Sequence, residues 1–298
     1  MRRRRGARFV SVLVAWIAAG VPMAAIGAGG PIDVRGIVSV GRLDIEGGGT
    51  GVHRFQADCH RKLMYAGAGA EGYRGAIVLI VDFSDPRNPK EVARWWMPGK
   101  WAAGGETSAG GAGFRAHHAN RLGDRLYVPL WMGGFAIVDV SEIAKPKTVA
   151  HVDYPRPSGA PTHTALPVGH EIRGRKWLVV FDEELGAGDP PAFMRLFDIA
   201  DETHPVQAGV FQPPREVPPG VRFGAHQPHE FVGPDNLVYA AWFAGGLRIV
   251  DIGNPRRPVE VGRYVPQSND VFVDPRGFIY LIDRANGLDI LRFTGNPK

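Results

Sequence analysis

The chain has 298 residues, of which 44% are hydrophobic, so it is long and apolar enough to bury a core. Its 40 glycines and 25 prolines are typical of short strands joined by tight turns and argue against a helical protein. The formal charge is +5, and the excess is supplied by five arginines at the start of the chain: Arg2, Arg3, Arg4, Arg5 and Arg8. The rest of the chain is neutral, which removes the electrostatic basis for nucleic-acid binding.

The first thirty residues have the layout of a secretory signal. An apolar stretch from Phe9 to Ala19 follows the arginines, Gly20 and Pro22 break it, and small residues come next. We therefore predict a signal peptide over residues 1–28, cleaved near residues 25–30, and a periplasmic or secreted protein without integral membrane association. An uncleaved anchor is the alternative, although the apolar core is short for a bilayer span. Cys59 is the only cysteine, so no internal disulfide can form.

A short pattern recurs along the chain at a spacing of 53 to 59 residues. Its four copies are Val81-Asp82-Phe83-Ser84, Val138-Asp139-Val140-Ser141, Phe197-Asp198-Ile199-Ala200 and Val250-Asp251-Ile252-Gly253. Seven residues after each aspartate comes a proline: Pro89, Pro146, Pro205 and Pro258. In three units a tyrosine is followed seven residues later by a glycine: Tyr127 and Gly134, Tyr239 and Gly246, Tyr280 and Gly287. A period of this size is typical of architectures that repeat one small sheet.

Each unit is predicted to form four antiparallel strands, A to D, because apolar and β-branched residues alternate between turn residues. In the fourth unit we expect strand A to start at His229, followed by B over 236–242, C over 246–252 and D over 259–264. The last unit lacks a D strand, and the segment over 37–42 closely matches the D strand over 258–263. An N-terminal strand that completes the last sheet would close a ring and remove its exposed edges.

The sequence therefore predicts an all-β fold: a five-bladed β-propeller over residues 31–298, closed by that N-terminal strand. A β-sandwich would not need the displaced strand. Six blades would require a degenerate unit that the sequence does not show.

The phrase Ala76-Ile77-Val78-Leu79-Ile80-Val81-Asp82, with copies over 135–139 and 247–251, resembles the LVIVD repeat family of exported bacterial β-propellers. The likeness extends over residues 37–293. It implies the fold and says little about activity, because most members of that family have no assigned function.

A second resemblance is to the selenium-binding protein and methanethiol oxidase family. Here Pro228-His229-Glu230, the strand from Tyr239 to Trp242 and the run from Arg248 to Ile252 follow the order of motifs in that family. The chain is much shorter and lacks the family's cysteine motifs. The resemblance implies a metal site and leaves the substrate undetermined.

Histidines recur at the entrance of strand A, the innermost strand of a propeller blade. In the second, fourth and fifth units, the residue ten positions before the strand B tyrosine is His117, His229 or Asp270. In the third and first units the same region contains Thr162-His163-Thr164 and Val52-His53-Arg54. Imidazoles and a carboxylate that converge on one axis form a ligand set for copper, iron or zinc. The predicted metal ligands are His53, His117, His118, His163, His226, His229 and Asp270. Structural, hydrogen-bonding histidines are the alternative.

Strand B runs back towards the face at which strand A begins, so its end should overlook the histidines. The residues predicted at this rim are Trp131, Asp182, Glu183, Glu184, Phe243, Asp283 and Arg284. Glu183 and Glu184 are candidate general bases, and Arg284 is a candidate for holding an anionic group of a substrate. For each of them a solvated turn residue is the alternative.

Three classes of function are compatible with these residues. The first is a metal-dependent oxidoreductase that acts on a small molecule, with copper ahead of iron for an exported, histidine-rich site. The second is a zinc-assisted hydrolase or lyase. The third is a non-enzymatic propeller that binds a ligand or a protein, and the fold itself does not decide among them. No protein partner can be identified from the sequence.

Overall fold

The structure, a computed structural model, describes residues 42–45, 52–108 and 113–295. They form five antiparallel sheets, the blades of a five-bladed β-propeller. Blade one consists of β1 (Val52–Asp58), β2 (Leu63–Ala68), β3 (Ile77–Asp82) and β4 (Lys90–Trp95). Blade two consists of β5 (Asn120–Leu122), β6 (Arg125–Pro129), β7 (Phe135–Asp139) and β8 (Lys147–Val152). Blade three consists of β9 (Thr162–Pro167), β10 (Trp177–Asp182), β11 (Met194–Asp198) and β12 (Val206–Phe211).

Blades four and five have three regular strands each within the described residues. Blade four consists of β13 (Leu237–Ala241), β14 (Leu247–Asp251) and β15 (Val259–Tyr264), with a short 3-10 helix at Phe243–Gly245. Blade five consists of β16 (Ser268–Val273), β17 (Phe278–Asp283) and β18 (Gly287–Arg292). The innermost segment of blade four is a single bridge, Pro228 to Ala240, so His229 lies at its end and not at its start as the sequence suggested.

The repeated aspartate has a local structural role in every copy. Each carboxylate accepts a hydrogen bond from the backbone N–H two residues later, and these N–H groups belong to Ser84, Ser141, Ala200 and Gly253. This side-chain turn ends strand C and redirects the chain into strand D. A β-bulge interrupts the pairing of C with D in all four blades that show both strands. The sequence repeat therefore encodes the turn at the end of strand C.

The repeated glycine starts strand C in a conformation that other residues avoid. Gly134 and Gly246 have φ angles of 69° and 75°. A β-carbon at these positions would lie 2.0 Å from the carbonyl oxygen of Val152 and 2.2 Å from that of Tyr264. Glycine is therefore required both by the backbone angle and by the close approach of strand D.

Apolar side chains fill the space between neighbouring blades. Tyr65 and Leu126 belong to a cluster between blades one and two, and Trp177 and Trp242 to one between blades three and four. Trp242 has no exposed surface. Since each blade packs face to face on the next, the innermost strands converge on a central channel.

The five-bladed fold is confirmed, and so are strand D of blade four over 259–264 and the strand that opens at Thr162. The predicted leader over 1–28 and the predicted closing strand over 37–42 fall outside the described residues, except for Arg42. Over the described part of the chain, no helix has the length and apolar character needed to cross a bilayer.

Candidate metal centre

Four histidines from four consecutive blades lie side by side at the entrance of the channel. The ring centroids of His53 and His117 are 4.6 Å apart, those of His117 and His163 4.2 Å, and those of His163 and His226 4.5 Å. We call these four residues the histidine ring. Blade five completes the circle with Asn269, whose backbone carbonyl accepts a hydrogen bond of 2.6 Å from Nδ1 of His226.

Strand pairing explains why His226, and not His229, occupies the repeat position. The N–H of His117 donates to the carbonyl of Pro129, and the N–H of His226 donates to that of Ala241, two residues after the tyrosine in each blade. The turn of blade four is three residues longer than that of blade two, so a count of ten residues back from the tyrosine reaches His229 instead. His229 packs against Phe231 and Phe272, away from the four rings.

Glu183 faces two members of the histidine ring at once. Its Oε2 lies 3.8 Å from Nε2 of His163, and its Oε1 lies 3.7 Å from Nε2 of His226. One ligand atom from each of these three residues lies within 4.8 Å of the others. Two atoms that each coordinate one metal ion at about 2.1 Å can be at most about 4.2 Å apart. The two oxygen–nitrogen distances of 3.8 and 3.7 Å lie within this limit and are compatible with a shared ion.

Hydrogen bonds to the other ring nitrogens leave the facing nitrogens free to ligate. Nδ1 of His226 donates to the carbonyl of Asn269, which places the lone pair on Nε2. Nδ1 of His163 lies 2.8 Å from Oγ1 of Thr164, whose hydroxyl is directed at Oε1 of Gln227 at 3.5 Å. In the tautomer in which Nδ1 of His163 donates to Thr164, its Nε2 carries a lone pair as well. Such outer hydrogen bonds orient imidazole ligands in metal sites.

Burial keeps these imidazoles neutral. Desolvation lowers the pKa of His226 to about 3 and holds the pKa of His163 and of His117 well below the ordinary value. The same cause raises the pKa of Glu183, with the nearby charge of Arg222 opposing the shift. A divalent transition metal requires neutral imidazoles and carboxylates as donors, and a nearby cation stabilises the carboxylate.

The rim outside the histidine ring is built from one position of the repeat. Four residues after the strand B tyrosine, or its counterpart, stand Gly69, Trp131, Glu183, Phe243 and Arg284 in blades one to five. Trp131 stacks on His117 with centroids 5.4 Å apart, and Phe243 stacks on His226 at 4.7 Å. Both aromatic residues have positive φ angles, 55° and 39°. Backbone strain of this kind at bulky residues is characteristic of functional sites.

A second layer of charged side chains lies beneath the histidine ring. Nη2 of Arg54 donates to Glu230 at 2.9 Å, and its Nη1 lies 3.7 Å from Asp270. Nε2 of His118 lies 3.2 Å from the same glutamate oxygen. Burial raises the pKa of Asp270 to about 6, whereas contacts with His118 and Arg54 outweigh burial and lower that of Glu230 to about 2. His118 and Asp270 thus belong to this charged layer and not to the group around Glu183.

Three other residues predicted at the rim have structural partners. Asp182 is fully buried, where it accepts hydrogen bonds from Tyr154 and from Arg195. Asp283 accepts from the backbone of the turn that follows it. The carboxylate of Glu184 accepts from three backbone N–H groups, those of Gly186, Gly188 and Ala192. Glu183 and Glu184, expected to be alternatives, therefore have different surroundings.

Replacement of Glu184 by alanine is expected to destabilise the protein without removing its metal. The change leaves the buried N–H of Ala192 without an acceptor, at a cost of about 1–3 kcal/mol in the free energy of unfolding. Chemical denaturation would measure the loss, and elemental analysis would show an unchanged metal content. A Glu184→Ala protein of parental stability, or one that has lost its metal, would contradict this assignment.

Two arginines that the sequence did not indicate contribute to the site. Nη2 of Arg222 donates to Oε1 of Glu183 at 3.0 Å, and its guanidinium lies 3.5 Å from the ring centroid of Phe243. The guanidinium of Arg115 lies 4.4 Å from that of Trp131. In the sequence, the position of Arg115 two residues before His117 could have indicated that it belongs to the site. Arg222 lies in an irregular segment that no repeat position identifies.

Sequence comparison identifies two repeats directly. The LVIVD repeat model matches residues 122–153 and 235–265, which hold the B, C and D strands of blades two and four. No curated protein sequence shows significant similarity to the chain.

Solved structures with the same fold are distant in sequence. The periplasmic gluconolactonase PpgL of Pseudomonas aeruginosa is 12% identical with a TM-score of 0.57, and the aligned region spans 82% of this chain and 66% of that one. The β-propeller domain of Cps50 (Swd1) of Myceliophteria thermophila is 15% identical with a TM-score of 0.51, with coverages of 78% and 67%. Sqt1 of Saccharomyces cerevisiae is 9% identical with a TM-score of 0.50, with coverages of 81% and 62%. At these identities the likeness shows the fold alone.

Proposed function

We propose that this LVIVD-repeat β-propeller is an exported, metal-dependent oxidoreductase that acts on a small molecule. The metal ion would be held by Nε2 of His163, Nε2 of His226 and the carboxylate of Glu183. The observation that carries the proposal is that the two oxygens of Glu183 each face one of these nitrogens, at 3.8 and 3.7 Å. The leader-like residues 1–28 support the export.

The donor set favours iron over copper. Two histidines and one carboxylate are the ligands of non-haem Fe(II) oxygenases, and the hard carboxylate oxygen suits iron better than it suits Cu(I). This reverses the order that the histidines alone suggested. When bound, the ion would supply an open coordination position at which a small molecule or dioxygen is activated.

Residues of the chain itself would shape the reaction space around the ion. Trp131 and Phe243 cover His117 and His226 from outside and limit the access of water. The hydrogen bond from Arg222 fixes the orientation of Glu183. The carbonyl of Asn269 fixes the imidazole plane of His226. The site is therefore organised by contacts that do not depend on the ion.

A zinc-dependent hydrolase or lyase is the second candidate, because two histidines and a glutamate also hold catalytic zinc. Metal reconstitution distinguishes the two. Protein purified without added metal would be incubated anaerobically with Fe(II), with Cu(II) and with Zn(II), desalted, and analysed for ions per chain. We expect about one iron ion per chain. Retention of zinc alone would support the hydrolase or lyase instead, and retention of none of the three metals would contradict both.

A further inference from the structure

Three guanidinium groups surround the mouth of the channel. Those of Arg222 and Arg284 lie 3.5 and 5.8 Å from the ring centroid of Phe243, and that of Arg115 lies 4.4 Å from that of Trp131. Both aromatic rings stack in turn on members of the histidine ring. Phe243 thus separates Arg284 from the candidate ligand His226, and Trp131 separates Arg115 from His117. Arg222 contacts the candidate ligand Glu183 directly.

The positive charge at this mouth exceeds the negative charge. Glu183 is the carboxylate that pairs with Arg222, and Arg115 and Arg284 form no ion pair with any residue in the described ranges. All three arginines act on the pKa of Glu183, and the charge of Arg284 lowers the pKa of Arg222. Three cations thus face the paired carboxylate of Glu183 and the charge of Glu184, which also acts on Arg222, so positive charge is in excess at the entrance.

The blade between Arg115 and Arg284 contributes a glycine to the rim. Arg115 belongs to blade two and Arg284 to blade five, and blade one lies between them in the ring. At the rim position of blade one stands Gly69, which has no side chain. Arg222 is already engaged, since it donates to Glu183 and to the carbonyl of Glu184. Nη1 of Arg284 donates to Oδ1 of Asn269 at 3.4 Å, whereas its remaining guanidinium N–H groups and those of Arg115 have no acceptor among the described residues.

We propose that Arg115 and Arg284 bind a small oxyanion at the mouth of the channel, and that the substrate of the metal centre carries such a group. A guanidinium offers a planar pair of N–H donors that matches a carboxylate or phosphate edge. With the anionic group between Arg115 and Arg284, the rest of the molecule would extend over the histidine ring towards Glu183. This inference rests on the proposed function for the role of the ligand, but the oxyanion site itself is defined by the arginines.

Isothermal titration calorimetry would test the site on the full protein, both metal-free and reconstituted. The probes are acetate and inorganic phosphate, with acetamide as the neutral counterpart of acetate. We expect one of the two anions to bind and acetamide not to bind, and the tighter anion identifies the oxyanion class. Arg115→Gln and Arg284→Gln should each weaken that binding by about tenfold or more, because a charge-assisted hydrogen bond is lost.

Arg292→Gln is the matched control, since Arg292 lies on β18, the outermost described strand of blade five, with its guanidinium 4.5 Å from the ring centroid of Phe278. It should bind the anion as the parent does. Absence of binding by both anions, or unchanged binding in both rim variants, would overturn the inference. Anion binding that needs the metal but neither arginine would overturn it and leave the proposed function standing. Arginine-dependent binding in a protein that holds no metal would support the oxyanion site and contradict the proposed function.

Discussion

His226→Ala is expected to lose its metal, whereas His229→Ala is expected to keep it. Mutation of a residue that only hydrogen-bonds to a metal ligand typically weakens metal binding by roughly 10–100-fold. The loss of a ligand itself should weaken binding by at least as much. His229 stands only three residues away, yet it contacts Phe231 and Phe272 and not the histidine ring. The two variants therefore distinguish a site that contains His226, as the strand register indicates, from one that contains His229, as the residue spacing predicted.

The measurement is the number of ions per chain after reconstitution, with circular dichroism to show that each variant is folded. His204→Ala is a further control, because His204 is exposed in the turn before β12, and its side chain bonds to Thr203 and Asp201 of the same turn. If His226→Ala retained the parental metal content, or if His229→Ala lost it, Nε2 of His226 would not be the ligand that the structure indicates.

Deletion of residues 31–44 is expected to abolish cooperative unfolding or to cause aggregation. β18 is the outermost described strand of blade five, and it exposes Leu288 and Ile290 by 55% and 61%. The predicted closing strand over 37–42 would pair with this edge, and its removal would leave backbone donors and acceptors open to pairing with other chains. Thermal denaturation and light scattering would measure the effect.

Deletion of residues 1–30 is the matched control, because it removes the predicted leader and leaves the predicted closing strand. That protein should melt at the temperature of the mature form. A protein without residues 31–44 that melts as sharply and at as high a temperature would show that the last blade does not need an N-terminal strand.

The fold could be predicted because the repeated residues are the ones that the backbone conformation requires at the ends of strand C. The aspartate that ends strand C and the glycine that begins it are fixed by a turn and by a positive φ angle, as at Asp139 and Gly134. These constraints are local, so they recur at the same spacing in the sequence. The order of strands follows from them without any knowledge of side-chain contacts.

The site could be predicted only in part, because the histidines converge through register and not through spacing. His53, His117 and His163 lie where the sequence predicted, at the entrance of the innermost strand of their blades. Because the turn of blade four is longer, counting ten residues back from the strand B tyrosine reached His229, although His226 occupies the repeat position. The different surroundings of Glu183 and Glu184 arise because adjacent side chains of an extended chain point in opposite directions. Arg222 reaches the site from an irregular segment, for which the sequence offers no periodic signal.

Anomalous diffraction from crystals of the iron-reconstituted protein would test the central proposal most directly. We expect one anomalous peak per chain, about 2.0–2.2 Å from Nε2 of His163, Nε2 of His226 and a carboxylate oxygen of Glu183. A peak bound by His229, by His118 or by Asp270 without Glu183, or no peak in protein that has been saturated with iron, would contradict it.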